Sequence, residues 1–431
     1  MKSMSRMKAS TMNALTHNPA HTEPQYRDTV LSSGLRIVTE HVSSVHSLAV
    51  GIWIDVGSRD EADAESGIAH FIEHTVFKGT TRRRTHHIAQ FLEAVGGYIN
   101  AFTTKDATCY YARVLQPHLP RAVHLLADLV QNPVFPLKEI EKEKQVIIDE
   151  LREAEDDPED LAHEYFEQLL YGRHPLGRPI LGNESVITGL TRERLQSFVR
   201  RHYTSGNLTV AAAGAVDHER LVKLCEEELA LLPVGWQEPR RRPRRRTARS
   251  DMRSRPVQQT HLVLGGMAGG YHHASRHVLT VLNALLGDGM SSRLFQRIRE
   301  RHGLGYNIYS FLSMYHDVST FGIYAGLEPG QFTRARTHIL RELEILSETR
   351  VSTRELNRAK EQVIGGMLMG LESMTNRMTR IARDAMVFGE DIPIVHLIDR
   401  IQSVDAEALR VQAADLFDTS RLTEMRLQPV T

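Results

Sequence analysis

The sequence predicts an α+β protein of two homologous α/β halves, each a sheet packed against helices, joined by an arginine-rich linker. Three observations carry this. The 431 residues are too many for one ordinary core and suit two domains of roughly 200 residues each. Strand-like runs give way to helical periodicity along the first half. Short segments of that half then recur in the second at a slowly drifting offset.

The folded chain is expected to start near Tyr26. Residues 35–42 alternate like a strand, and 48–57 read as a second. A helix with an apolar face follows over 67–77, stopped by Lys78-Gly79. Helical periodicity returns over 86–95, 119–130 and 138–170. Near residue 240 the composition changes: Arg240-Arg-Arg-Pro-Arg-Arg-Arg has no apolar period and reads as an exposed, solvated linker. Beyond it, Gly305-Tyr306-Asn307-Ile308 echoes Gly97-Tyr98-Ile99-Asn100, and Gln362-Val363-Ile364 repeats Gln145-Val146-Ile147. Phe388-Gly389 answers Tyr171-Gly172, and Thr419-Ser420 answers Thr204-Ser205 before a strand. The expected organisation is a disordered tail over 1–25, a first domain over 26–236, a linker over 237–256 and a homologous second domain over 257–431.

Composition narrows the function. Lys+Arg and Asp+Glu are both 53, a formal net charge of +0, which argues against nucleic acid as a general partner. The two cysteines, Cys109 and Cys225, form neither a disulfide framework nor a Cys-x-x-Cys metal pair, and suit a reducing compartment. No run approaches the roughly 18 apolar residues of a membrane span. Residues 1–22 carry Lys2, Arg6 and Lys8 and no acid, which reads as a tail, with an organelle transit segment as the alternative.

The 22 histidines direct attention to His70-Phe-Ile-Glu73-His74. On a helix, His70 and His74 project one turn apart on one face, so both imidazoles can reach one ion. A catalytic zinc takes three protein ligands and keeps a fourth position for water. Glu73 lies at the edge of that face, where a carboxylate can take the proton of such a water. The neighbours Ile68, Ala69, Phe71, Ile72, Val76 and Phe77 make the helix largely apolar, and burying two histidines and an acid there is costly unless they are paired or metal-bound. No Cys or His cluster offers a third ligand. Glu143 and Glu150 stand two turns apart on a later helix; either can reach the ion, and the other can hold a histidine. The paired histidines 86–87 and 272–273 read as surface, and the glycine pairs 265–266 and 269–270 lack the Lys-Ser/Thr ending of a phosphate loop.

His-x-x-Glu-His is the inverted zinc motif. With Glu143 and Glu150 behind it, the chain resembles the pitrilysin and insulinase family of zinc peptidases, most closely the β subunit of mitochondrial processing peptidase and its bacterial relatives. The resemblance runs from about residue 26 almost to the end. It includes Gly96-Gly97-Tyr-Ile-Asn100-Ala101-Phe-Thr, Cys109-Tyr-Tyr-Ala-Arg113, His174-Pro-Leu-Gly-Arg-Pro-Ile-Leu-Gly182 and Leu294-Phe-Gln-Arg-Ile-Arg299 leading to Gly303-Leu-Gly-Tyr306. It implies a clamshell of two halves and a zinc cofactor held by His70, His74 and Glu150. It implies Glu73 as general base and Glu143 as an acid supporting the site. Asn100 and Ala101 would lie on a sheet edge that an extended peptide joins as a strand, and Arg299 and Tyr306 would serve the developing oxyanion. The second half keeps the fold signature and lacks the ligands: Val278, Val281, Leu282, Lys360 and Met367 stand in their places.

The resemblance also bears on substrate and partners. Acids at Asp160 and Glu164, one helical turn apart, would grip one guanidinium, which implies basic, extended peptides; on residue type alone they read as part of an exposed acidic turn. A homodimer, or a heterodimer with an inactive homologue, is expected, in the bacterial cytoplasm or, if the N-terminus directs import, the mitochondrial matrix. The alternative function is a non-catalytic, substrate-binding partner subunit.

Overall fold

The computed structural model describes residues 25–236, 239–244 and 247–430. The tail expected before Gln25 lies outside them, as do four positions of the linker. The first half runs β1 (Gln25–Val30), β2 (Arg36–His41), β3 (Ser47–Ile54), α1 (Ile68–Thr75), α2 (Thr85–Glu93), β4 (Tyr98–Thr103), β5 (Thr108–Leu115), α3 (Leu119–Gln131), α4 (Leu137–Asp156), α5 (Pro158–Tyr171), α6 (Glu184–Thr188), α7 (Arg192–His202), β6 (Leu208–Gly214) and α8 (His218–Glu228). The second runs β7 (Arg249–Arg255), β8 (Thr260–Gly269), α9 (Arg276–Leu286), a π-helical turn (Phe295–Arg301), β9 (Gly305–Met314), β10 (Val318–Leu327), α10 (Phe332–Glu348), α11 (Thr353–Gly370), α12 (Met374–Phe388), α13 (Ile394–Ser403), α14 (Ala406–Leu416) and β11 (Thr423–Pro429).

The duplication is explicit in the sheets. The first is ordered β1-β2-β6-β3-β5-β4, the second β7-β11-β8-β10-β9. Leaving out β1, the two match strand for strand, down to one parallel pair in each, β2 with β6 and β7 with β11. The echoed segments fall at equivalent places: the starts of β4 and β9, the middles of α4 and α11, the ends of α5 and α12.

Each sheet is buried on both faces, so its central strands are apolar throughout. Along β3, Leu48, Val50, Ile52 and Ile54 pack against the helices of the first half, among them α1, α3 and α4. Ala49 and Trp53 point the other way and meet Met378, Ile381, Ala382 and Ala385 of α12, a helix of the second half. That helix comes so close that a Cβ on Gly51 would stand 3.2 Å from Met378 Sδ. The exchange is mutual. Leu161, Ala162, Tyr165 and Phe166 of α5 cover the inner face of the second sheet, against Val263, Met267, Tyr324 and Met425.

The periodic stretch 138–170 is two helices and not one. Pro158 has no N–H to continue α4, and Asp157 starts α5 afresh by accepting the N–H groups of Glu159 and Asp160. The linker reading also needs correction. Arg249–Arg255 forms β7 beside β11. Arg240 is largely buried and not solvated: it donates to Asp60 at 2.8 Å twice and pairs with Asp55 at 3.0 Å. Two further buried charge clusters tie the halves together. Arg59 bridges Asp106 at 2.9 Å and Asp317, from the β9–β10 turn, at 2.8 Å. Glu40 of β2 is paired with Arg377 and, at 3.1 Å, Arg380 of α12. Among the described residues, no helix is long and apolar enough to cross a membrane.

Candidate zinc centre

Gly67 precedes α1 at a φ of +91°; it has no side chain to cap the helix, and a Cβ there would strike Leu181 O at 2.5 Å. The cap comes from a distance. Buried Glu61 accepts the N–H groups of Gly67 at 2.8 Å and Ala69 at 2.9 Å. Burial pushes its carboxyl up to about 8, against the pull of those two bonds. This fixes the first turn of the helix that presents His70 and His74, whose ring centroids lie 4.6 Å apart.

Of the two glutamates the sequence leaves open, the structure brings Glu150 to the histidines. One donor atom each of His70, His74 and Glu150 lies within 4.8 Å of the others. His74 Nε2 stands 3.8 Å from Glu150 Oε2. Glu143 sits behind: its Oε2 accepts from His74 Nδ1 at 3.3 Å and its Oε1 from Lys78 Nζ at 2.8 Å. That bond assigns the proton to Nδ1 and leaves Nε2 free to ligate, the usual arrangement of a carboxylate supporting a metal-bound histidine. The donor set fits a zinc ion. Buried His70 Nδ1 has no hydrogen-bond partner, which a protein interior tolerates rarely, and two imidazoles with one carboxylate are a common catalytic zinc set.

The electrostatics agree with the geometry. Burial, with His74 beside it, lowers His70 to about 4, so it is neutral at pH 7 and able to bind metal. Burial also pulls on His74, but the bond to Glu143 and the nearby acids outweigh it and raise it. Burial opposes ionisation of Glu143, yet its bonds with His74 and Lys78 hold it below the ordinary range. Glu73 is raised by burial, while Thr103 donates to its Oε2 at 2.5 Å and pulls it back.

The family models decide what this centre belongs to. Residues 36–184 match Insulinase (Peptidase family M16), and residues 189–363 match Peptidase M16 inactive domain. The chain belongs to the insulinase family of zinc peptidases. An uncharacterized zinc protease of Mycobacterium tuberculosis is 40% identical over 396 residues, covering 90% of each chain. One of Bacillus subtilis is 34% identical over 390 residues, 89% of this chain and 94% of that one. The fold matches a protease from Helicobacter pylori with a TM-score of 0.88 at 23% identity, over 95% of this chain and all of the other. As an insulinase-family member the protein is a zinc metallopeptidase, and the missing ligands of its second half agree with the inactive-domain match.

The other expected site residues are spread over both halves. Asn100 and Ala101 lie on β4, the edge of the first sheet; Asn100 bonds the Ala101 N–H at 2.9 Å and Tyr98 Oη at 2.8 Å. Asp160 and Glu164 line a cavity of about 690 Å³ between the halves, which Thr103 joins to Glu73. Arg299 and Tyr306 are not gathered at the triad. Arg299 stacks 4.3 Å from the Tyr306 ring, which is 76% exposed at the start of β9, and no described contact joins either to the metal ligands. Thr103 and Glu61 were missed by sequence reasoning. Thr103 falls inside the quoted edge-strand motif, but nothing in its residue type points to Glu73.

Proposed function

We propose that the protein is a zinc endopeptidase that hydrolyses short or unfolded, basic peptides. The observation that carries this reading is the pair Asp160 and Glu164, lining a cavity with Thr103, the residue that donates to Glu73. His70, His74 and Glu150 hold the metal. A zinc ion held by them would supply a Lewis acid for the scissile carbonyl and would acidify a bound water. Glu73 takes the proton of that water and passes it to the leaving amine, with Thr103 fixing its carboxylate. Glu143 keeps His74 oriented, and Lys78 balances the charge of Glu143. The free edge of β4 at Asn100 and Ala101 takes the peptide as an added strand, which grips backbone and leaves side chains to the cavity.

The exposed, mutually stacked Arg299 and Tyr306 support a homodimer in which one protomer lends this pair to the oxyanion at the partner's zinc. The test is cleavage of an unfolded arginine-containing peptide by zinc-loaded wild type and by Glu73→Gln. The substitution keeps the ligands and removes the base, and a loss of about 10²–10⁴-fold is expected. Equal rates in the two proteins overturn the mechanism.

A further inference from the structure

Nine of the sixteen residues 240–255 are arginine and one, Asp251, is acidic, in a chain whose formal net charge is +0. Arg240 is taken up by Asp55 and Asp60. Arg242 and Arg244 are exposed, and the run ends in β7, which has no part in the chemistry above.

β7 is the last strand of its sheet, and among the described residues β11 is its one ladder partner. Its counterpart in the first sheet, β2, is covered on that side by β1. The second half therefore leaves bare the edge that the first half fills. Val430 N–H donates to Arg255 O, so the odd-numbered residues of β7 turn their backbone groups to β11, and Ser250, Met252 and Ser254 turn theirs outward. The outward N–H of Met252 is held by the preceding side chain, Asp251 Oδ1, at 2.9 Å. On β4, Asn100 holds the N–H of Ala101 in the same way, also at 2.9 Å. The two edges share this device.

Arg249, Asp251, Arg253 and Arg255 fall on one face of β7. Tyr165 of α5 holds two of the arginines in place: Arg253 stacks 3.8 Å from its ring, and Arg255 donates to its Oη at 2.7 Å. Asp251 pairs with Arg253 at 3.1 Å, and Glu155 of α4 lies near enough to act on Arg255. Arg249 is exposed. A row of arginines on an open edge repels a second basic strand, which keeps copies of this chain from pairing there. It attracts the opposite charge.

We propose that β7 is a docking edge for an extended acidic segment of a partner protein. The segment adds to the second sheet where β1 covers the first. It sets carboxylates at every second position, about 6.8 Å apart, against Arg249, Arg253 and Arg255. An apolar residue between them meets Met252, which is exposed on the other face. β7 is the edge opposite β9, where Tyr306 lies, so a docked segment leaves that pair free. The proposal is independent of the peptidase reading.

The probe is a fluorescein-labelled decapeptide of alternating Glu and Val. Its binding to the zinc-loaded Glu73→Gln chain, which does not consume it, is read by anisotropy. N-methylation of alternate amides, on the valines in one peptide and on the glutamates in another, removes the donors of one edge at a time. One of the two should bind about tenfold more weakly or worse. Arg249→Glu, an exposed change, should weaken binding of the unmethylated peptide about fivefold. Ser254→Pro removes an outward N–H and spares the ladder to β11, and should weaken it as well; where that variant fails to fold, the methylated peptides put the same question to the unaltered strand. Binding unchanged by Arg249→Glu places the peptide elsewhere and overturns the proposal. Methylated peptides that both bind like the parent, with inorganic polyphosphate of equal charge displacing all three alike, make the arginines a general polyanion surface and overturn it too.

Discussion

Thr103 donates its hydroxyl to Glu73 across 2.5 Å, from the edge strand to the helix that carries His70 and His74. The bond favours the ionised carboxylate, against the burial that raises it. Thr103→Val removes that donor and lets the Glu73 carboxyl rise further. The acidic limb of the kcat/KM profile is expected to move to higher pH, with a loss of about tenfold at pH 6 and less at pH 8. A profile that falls uniformly, with no shift of the limb, contradicts the assignment of Glu73 as the base.

Glu143 meets His74 at Nδ1, away from the Nε2 that faces Glu150. Glu143→Gln keeps an acceptor but loses the charge shared with Lys78. Zinc affinity should weaken about 10–100-fold, measured by competition with a chelator, while metal-saturated protein keeps its fold. Unchanged affinity excludes the supporting role.

Burial holds Glu164 up to about 7, although Lys105 draws it down. Below that pH the carboxyl is neutral, above it charged. Its ionised fraction therefore rises from about a tenth at pH 6 to about nine-tenths at pH 8, and affinity for an arginine peptide should rise with it. The same shift has the opposite sign for stability. The folded state retains a proton that the unfolded chain has already released, so stability is lost as pH climbs from 4.5 to about 7. Glu164→Gln should flatten the binding profile and raise the Tm at pH 8 but not at pH 4. A profile that stays steep in the variant assigns the titration to another group.

Glu40 is buried and joined to two arginines of α12. Glu40→Ala takes one acid from both guanidiniums, while Arg380 keeps Asp384 at 3.3 Å and Asp391 at 2.9 Å and Arg377 keeps Leu371 O, so the expected cost in denaturant unfolding is about 2–3 kcal/mol. A cost below about 1 kcal/mol would show that the apolar contacts of α12 hold the halves unaided.

The motif around His70, the later helix with Glu143 and Glu150, and the duplication were legible because each is written in spacing along one element. Spacing alone left open which glutamate meets the histidines, and the family resemblance pointed to Glu150: two turns of α4 separate the pair, and the packing of α1 on α4 brings Glu150 forward. The exchange of α5 and α12 was hidden for a related reason. Periodicity tells which face of a helix is apolar, not which sheet covers it. Arg240 lies in a run of arginines that composition reads as solvated, and its burial depends on Asp55 and Asp60, far upstream. Glu61 shows no capping pattern, since it reaches the start of α1 from six residues before Gly67.

The exchange of helices also sets an order of assembly. When β6 leaves the ribosome the first sheet has all its strands, yet Val38, Ala49, Trp53, Ala211 and Ala213 still lack their cover, because α12 is made long afterwards. The nascent first half therefore carries a bare apolar sheet beside a metal site already complete in sequence. The cavity wall that α12 contributes does not exist until most of the second half has been translated. A truncated chain therefore exposes an apolar sheet face and lacks the α12 wall of the cavity between the halves.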